Sequence, residues 1–86
     1  MRHTVEQKVS EILRTITRES QLFHDLTDEE KIQMLPSESM LTLQFVTYLE
    51  EEFDIEFDDE ELDISFFESF ENVINAVTNH VNEKIA

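Results

Sequence analysis

The chain has 86 residues, 40% of them apolar, which is enough for one small core and too little for two domains. It contains no Gly and no Cys, which excludes glycine-rich phosphate loops, a nucleophile elbow, a disulfide framework, cysteine zinc sites and a thiol nucleophile. Six basic residues against 21 acidic ones give a formal charge of −15, which argues against nucleic acid or an anionic membrane surface as a partner and in favour of basic proteins.

The first predicted helix begins at Thr4, where Thr4-x-x-Gln7 has the form of a capping box, and ends near Arg18. Val5, Val9, Ile12, Leu13 and Ile16 fall within about 100° of one another on its wheel and form one apolar stripe. Residues 19–36 are less regular. Leu22, Phe23 and Leu26 read as anchors that pin a loop to the core. Thr27-x-x-Glu30 is a second capping-box pattern, opening a short helix over Asp28–Leu35, and Pro36 disfavours helical backbone at Leu35.

The next helix starts just after Pro36 and runs to about Phe53. Its wheel gathers Leu41, Phe45, Val46, Tyr48, Leu49 and Phe53 on a broad apolar face. Met40 and Leu43 fall opposite, beside Gln44, Thr47, Glu50 and Glu51, so this helix is expected to show solvent two apolar side chains among acids. An acidic stretch over Asp54–Asp63 is punctuated by Ile55, Phe57 and Leu62, and Ile64, Phe66 and Phe67 suggest a single helical turn. Ser69 then caps a last helix whose apolar face carries Phe70, Val73, Ile74, Val77, Val81 and Ile85. No segment alternates like a strand, so the predicted fold is all-α: three main helices and a short third one in an antiparallel four-helix bundle with a long first connection.

The charge is uneven. Residues 1–34 hold five basic and seven acidic residues, a net of −2, whereas residues 35–86 hold Lys84 against fourteen acids, a net of −13. The acidic stretch is not an EF-hand: with Asp54 first, the sixth position holds Asp59 where Gly is needed and the twelfth holds Ser65 where Glu is needed. His3, His24 and His80 are scattered and form no metal-ligand pair, and no catalytic arrangement is recognisable, so the chain is read as non-catalytic. Ser39 stands apart, because a phosphate ester at the start of a helix meets free N–H groups and partial positive charge. The simpler alternative is that Ser37 or Ser39 caps that helix.

The segment Glu38-Ser39-Met40-Leu41-Thr42-Leu43-Gln44-Phe45-Val46, followed by Leu49-Glu50-Glu51-Glu52-Phe53-Asp54-Ile55-Glu56-Phe57, resembles the acyl carrier protein family. In that family an Asp-Ser-Leu motif opens the second helix, and the Phe of an acidic stretch follows fourteen residues after the serine. Ser39 to Phe53 is likewise fourteen residues without a gap. The resemblance is closest over residues 38–61, continues in Ser69-Phe70-x-x-Val73-Ile74-x-x-Val77 after a slightly longer loop, and touches the first helix only in apolar spacing.

The resemblance implies a single carrier domain over residues 1–86, a four-helix bundle, and a 4′-phosphopantetheine arm joined to Ser39 and derived from coenzyme A. It implies partner contacts at Glu38, Met40, Leu43, Gln44, Thr47, Glu50, Glu51 and Glu56. The partners implied are a phosphopantetheinyl transferase and acyl- or aminoacyl-loading and processing enzymes with basic docking patches, met by a cytoplasmic monomer. The motif departs from the family in reading Glu-Ser-Met, in having Pro36 and Ser37 before it, and in Leu41 and Gln44. These departures point to a specialised carrier, for polyketide, nonribosomal-peptide, fatty-acid or wall-polymer chemistry. Two other readings compete: an unmodified carrier-like interaction module, and an acidic bundle responsive to divalent ions.

Overall fold

The computed structural model describes residues 2–85, with side-chain surroundings for residues 2–84; the expected burial of Ile85 lies outside the described residues. Four α-helices follow in order: α1 (Arg2–Thr17), α2 (Asp28–Met34), α3 (Ser39–Phe53) and α4 (Phe70–Ile85). Single 3₁₀ turns occupy Gln21–Phe23, Leu35–Ser37, Asp59–Glu61 and Ile64–Phe67, and there is no strand among the described residues. The fold is a small all-helical bundle.

The apolar stripes set the packing. Val5, Val9, Leu13, Phe23, Ile32, Leu35, Phe45, Leu49, Val73, Ile74 and Val77 are sealed from solvent in one cluster. Each such side chain contributes about 1.5–3 kcal/mol of hydrophobic stabilisation. Ile12, Ile16, Leu26, Leu41, Phe53, Phe70 and Val81 pack around its edge. Phe57, Phe66 and Phe67 close one end through edge-to-face contacts, with ring centroids 5.4 Å apart for Phe57–Phe66 and 4.8 Å for Phe66–Phe67.

Helix ends follow local chemistry. Thr27 and Glu30 form the expected capping box on α2, with Glu30 N–H to Thr27 Oγ1 at 3.2 Å and Thr27 N–H to Glu30 Oε1 at 2.9 Å. Ser69 caps α4 by accepting the Asn72 N–H at 3.0 Å. With no glycine available, α3 ends on Asp54 in the left-handed region, at φ 54° and ψ 53°. The Asp54 carboxylate meets Lys84 Nζ at 2.8 Å, so the C-terminal ends of α3 and α4 come together. Arg2 bonds Glu71 and Asn75, which brings the first turns of α1 and α4 together.

Several expectations are corrected. Helix α1 starts at Arg2, so Thr4 lies inside it and caps nothing. Helix α2 ends at Met34; Leu35 is nonetheless helical (φ −53°, ψ −43°), because a 3₁₀ turn carries Pro36 early, where its missing N–H costs nothing. Helix α3 therefore begins at Ser39 rather than directly after Pro36. The short α-helix of the bundle is α2, and the expected short third helix is only the 3₁₀ turn over Ile64–Phe67. Leu22 is 62% exposed and anchors nothing, while its neighbour Phe23 is fully buried. Tyr48 is 46% exposed and lines a cleft with Lys8, Ile12 and Glu52, its ring being large enough to stay at the helix edge.

Two stability predictions arise here. The Thr78 hydroxyl oxygen is shielded from solvent and has no hydrogen-bond partner among the described residues. Thr78→Val keeps the shape and removes an unpaired polar group, so it should stabilise the fold by about 1 kcal/mol and raise the melting temperature by roughly 4–8 °C. An unchanged or lower melting temperature would mean that the hydroxyl is satisfied in solution.

The second concerns charge. Repulsion among the acids of residues 35–86 is relieved by salt or millimolar magnesium, and also as pH falls from neutrality toward the isoelectric region near 4.2. Lower still, specific bonds are lost. The Asp54 carboxyl is held below its ordinary 3.8 by Lys84, Asp63 below 3.8 by the Ser65 hydroxyl and the Phe66 N–H, and Glu61 below 4.5 by the Asp58 N–H and then His80. A carboxylate with a depressed folded-state pKa stabilises above its unfolded value and loses that contribution as pH drops through the folded one. Melting temperature should therefore rise with salt, peak in the isoelectric region and fall below it. A salt-insensitive melting temperature, or one that drops steadily from pH 7 to 4, would contradict this balance.

Candidate functional site

Ser39 is the first residue of α3 and is exposed. The residue before it, Glu38, sits at φ −123°, ψ 86° in the N-cap position, and its side chain makes no capping bond. The first turn of α3 also carries no acid, although the first turn of α2 carries Asp28, Glu29 and Glu30. The leading N–H groups of α3 thus lack a side-chain acceptor and leave partial positive charge beside Ser39. Neither Ser37 nor Ser39 is the cap. The Ser37 hydroxyl is turned back to donate to the Met34 carbonyl at 2.7 Å. The Thr42 hydroxyl donates to the Leu35 carbonyl and ties the start of α3 to the preceding 3₁₀ turn.

Ser39, Thr42, Leu43 and Val46 share one face of α3 and line an open groove of about 940 Å³. The opposite wall comes from Leu62, Asp63, Ile64 and Phe67, with Pro36 and Gln33 near the Ser39 end. The lining is mostly apolar: Leu43 is 69% exposed and Ile64 82% exposed, and Val46 and Phe67 turn the inner part of the groove toward the core. Asp63 keeps its carboxylate at the wall, bonded to the Ser65 hydroxyl at 2.9 Å and the Phe66 N–H at 3.2 Å. The chemistry offered is one exposed hydroxyl at a positive helix end, at the edge of a largely apolar trough.

No family model, curated protein or solved structure matches the chain.

The other residues singled out from the sequence divide into two groups. Met40 is 76% exposed, and Leu43, Gln44, Thr47, Glu51 and Glu56 are exposed with it. These surround an apolar pair with polar and acidic neighbours, as the wheel of α3 implied. Glu38 and Glu50 are half-buried. Glu50 turns inward, and its Oε2 accepts the Phe57 N–H at 2.9 Å, fixing the chain as it leaves α3. Glu50 is therefore a structural acceptor as well as a surface acid.

The groove beside Ser39 is not legible in the sequence, because its two walls come from segments about twenty residues apart. Its one signal is the i, i+4, i+7 spacing of Ser39, Leu43 and Val46, which places the serine on an apolar stripe. His80 stands far from the other histidines in sequence. It is half-buried, bonds the Glu61 carboxylate at 2.8 and 3.0 Å, and lies edge-on to Phe57 with ring centroids 5.0 Å apart. That pairing ties the 3₁₀ turn at Asp59–Glu61 to α4. Among the described residues no group of three or more His, Asp or Glu side chains is placed to hold a metal ion, and no helix is long and apolar enough to cross a membrane.

The two acids of the α3 surface should part company on mutation. Glu50→Ala leaves the Phe57 N–H without its acceptor and should cost about 1–3 kcal/mol. Glu51→Lys, fully on the surface, should stay within about 0.5 kcal/mol. Urea unfolding of the two variants decides the point, and equal losses would refute the inward role of Glu50.

Proposed function

We propose that this chain is a stand-alone carrier protein that holds acyl, aminoacyl or peptidyl groups as thioesters on a 4′-phosphopantetheine arm at Ser39. The observation that carries the reading is the placement of Ser39: exposed at the uncapped start of α3 and on the edge of an apolar groove. The resemblance over residues 38–61 selects the same serine. The finer fold assignment, a carrier-type four-helix bundle, is part of the same proposal.

The residues present fit such an arm. A phosphodiester on Ser39 Oγ would bring negative charge to N–H groups that have no side-chain acceptor. The groove offers apolar surface to whatever the arm carries, through Leu43, Val46, Leu62 and Ile64. Attachment would be a phosphoryl transfer made by a separate transferase: the Ser39 oxygen would bond to the phosphorus bearing the pantetheine of coenzyme A, the diphosphate bond would break, and the serine proton would leave with the released nucleotide or to solvent. The arm's thiol then supplies the thioester chemistry.

Delivery would rest on the surface of α3. Met40 and Leu43 give apolar contact, while Glu51 and Glu56 steer basic docking patches on cytoplasmic loading and processing enzymes. Tethering replaces diffusion of the intermediate by a high effective concentration. The deciding experiment is intact-protein mass measurement after incubation with coenzyme A and a broad-specificity phosphopantetheinyl transferase. A gain of one phosphopantetheine supports the carrier. No gain with several transferases overturns it and leaves the exposed Met40–Leu43 face as an unmodified interaction surface.

A further inference from the structure

Against 21 acidic residues the chain has six basic ones, yet among the described residues only half of these cations form an ion pair. Arg2, Lys8 and Lys84 each make an ion pair, with Glu6 and Glu71, with Glu52, and with Asp54 respectively. Among the described residues Arg14, Arg18 and Lys31 take part in none, and these three side chains line a single cleft of about 590 Å³ together with His24. Arg14 and Arg18 stand one turn apart on the same side of the chain as α1 ends, and Lys31 comes from the facing α2. Both arginines are exposed, and the buried ring of Phe23 lies at the base.

Among the described residues, none of the three cations makes a side-chain hydrogen bond to the end of α1. Basic side chains in a last turn commonly serve the free carbonyls of that turn. Here the Thr17 carbonyl is taken by the Ser20 N–H at 3.1 Å and the Arg18 carbonyl by the His24 ring at 3.2 Å. The Thr15 and Thr17 hydroxyls turn back onto the Glu11 and Leu13 carbonyls. Glu11 is the one acid that lines the cleft, so the lining carries two more positive than negative charges.

We propose that this cleft is an anion-binding site for a phosphate dianion, either inorganic phosphate or the terminal group of a phosphate monoester. Two guanidinium groups at and just past the end of α1 and an ammonium on α2 line one cleft, and guanidinium donors suit the oxygens of a tetrahedral dianion. The opposing field of the acidic chain weakens the affinity. The site is separate from Ser39, and the proposal stands or falls independently of the carrier reading.

The test is a titration of the isotope-labelled protein with inorganic phosphate, and in parallel with glycerol phosphate, at fixed pH and with chloride adjusted to constant ionic strength. Saturable shifts of backbone amides at Arg14–Arg18, Phe23, His24 and Lys31 are expected, while those around Ser39 stay still. Arg14→Gln combined with Arg18→Gln should weaken binding at least about tenfold. Lys31→Gln alone provides a second variant on another helix, with the same direction of effect, and unchanged shifts elsewhere verify that each variant is folded. Tighter binding of glycerol phosphate than of phosphate assigns the site to a monoester, and the reverse assigns it to the free anion. Shifts that grow linearly without saturation, or that survive in both variants, overturn the proposal.

Discussion

Ser39→Ala should abolish the phosphopantetheine mass gain that the carrier proposal expects, and Ser37→Ala should leave it intact. The two serines flank Glu38, and both are exposed, so exposure does not separate them. Their hydroxyls do differ in setting. Ser37 lies in the 3₁₀ turn before α3 and donates to the Met34 carbonyl at 2.7 Å, whereas Ser39 opens α3 itself and faces the groove. On the proposed carrier reading the fourteen-residue register to Phe53 also selects Ser39, because a shift of two would misplace the apolar positions from Met40 to Phe53. The stability cost should run the other way. Ser37→Ala removes a hydrogen bond and should cost about 0.5–1.5 kcal/mol. Ser39 is not the helix cap, so Ser39→Ala should stay within about 0.5 kcal/mol. Loading at Ser37 instead would preserve the proposed function and show the register to be off by two.

Phe45→Ala will come close to unfolding the protein, while Met40→Ala will barely change its stability. Both residues lie on α3, five positions apart, on different faces. Phe45 is fully buried and Met40 is 76% exposed. Truncating a buried Phe typically costs about 3–5 kcal/mol through lost burial and the cavity left behind. A domain of this size has roughly 5–10 kcal/mol in total, and part of that is consumed by repulsion among its acids. The Met40 side chain has little burial to lose, so its removal should stay within about 0.5 kcal/mol. Chemical denaturation at moderate salt measures both. A large loss at Met40 would place it in the core and end its candidacy as a docking residue.

The contrast between Met40 and Phe45 was legible in the sequence because it depends only on helical period. So was the register of Val5, Val9 and Leu13 in α1, and so were the caps at Thr27 and Ser69, where a hydroxyl sits next to a periodic run. The errors share a different origin. A wheel gives the direction of a side chain and not how deep its neighbours cover it. Tyr48 pointed to the correct side and stayed at the edge, and Leu22 lost its place to Phe23. Glu50 pointed outward on the wheel, but its length lets it fold back to the Phe57 N–H, a contact across a chain reversal that no period encodes. The groove next to Ser39 was hidden for a similar reason: its second wall is a segment without α-helical period, and only tertiary packing brings Leu62 and Ile64 across from Leu43.

That second wall gives the trough one stiff side and one compliant side. The stiff side is α3, fifteen residues of continuous helix with Phe45 and Leu49 fully buried behind it. The other is a strap of two single turns, closed by short-range bonds such as Glu61 N–H to the Asp58 carbonyl and Phe66 N–H to the Asp63 carbonyl. It is clamped at one end by buried Phe57 and at the other by buried Phe66 and Phe67, with the His80–Glu61 pair as a stay along its length. Between the clamps, Ile64 stands 82% in solvent. The strap's own backbone bonds are thus local, while Leu62 and Phe67 tie this wall to the core. The serine at its edge is held by the stiff side, and any change in the width of the trough falls to the strap.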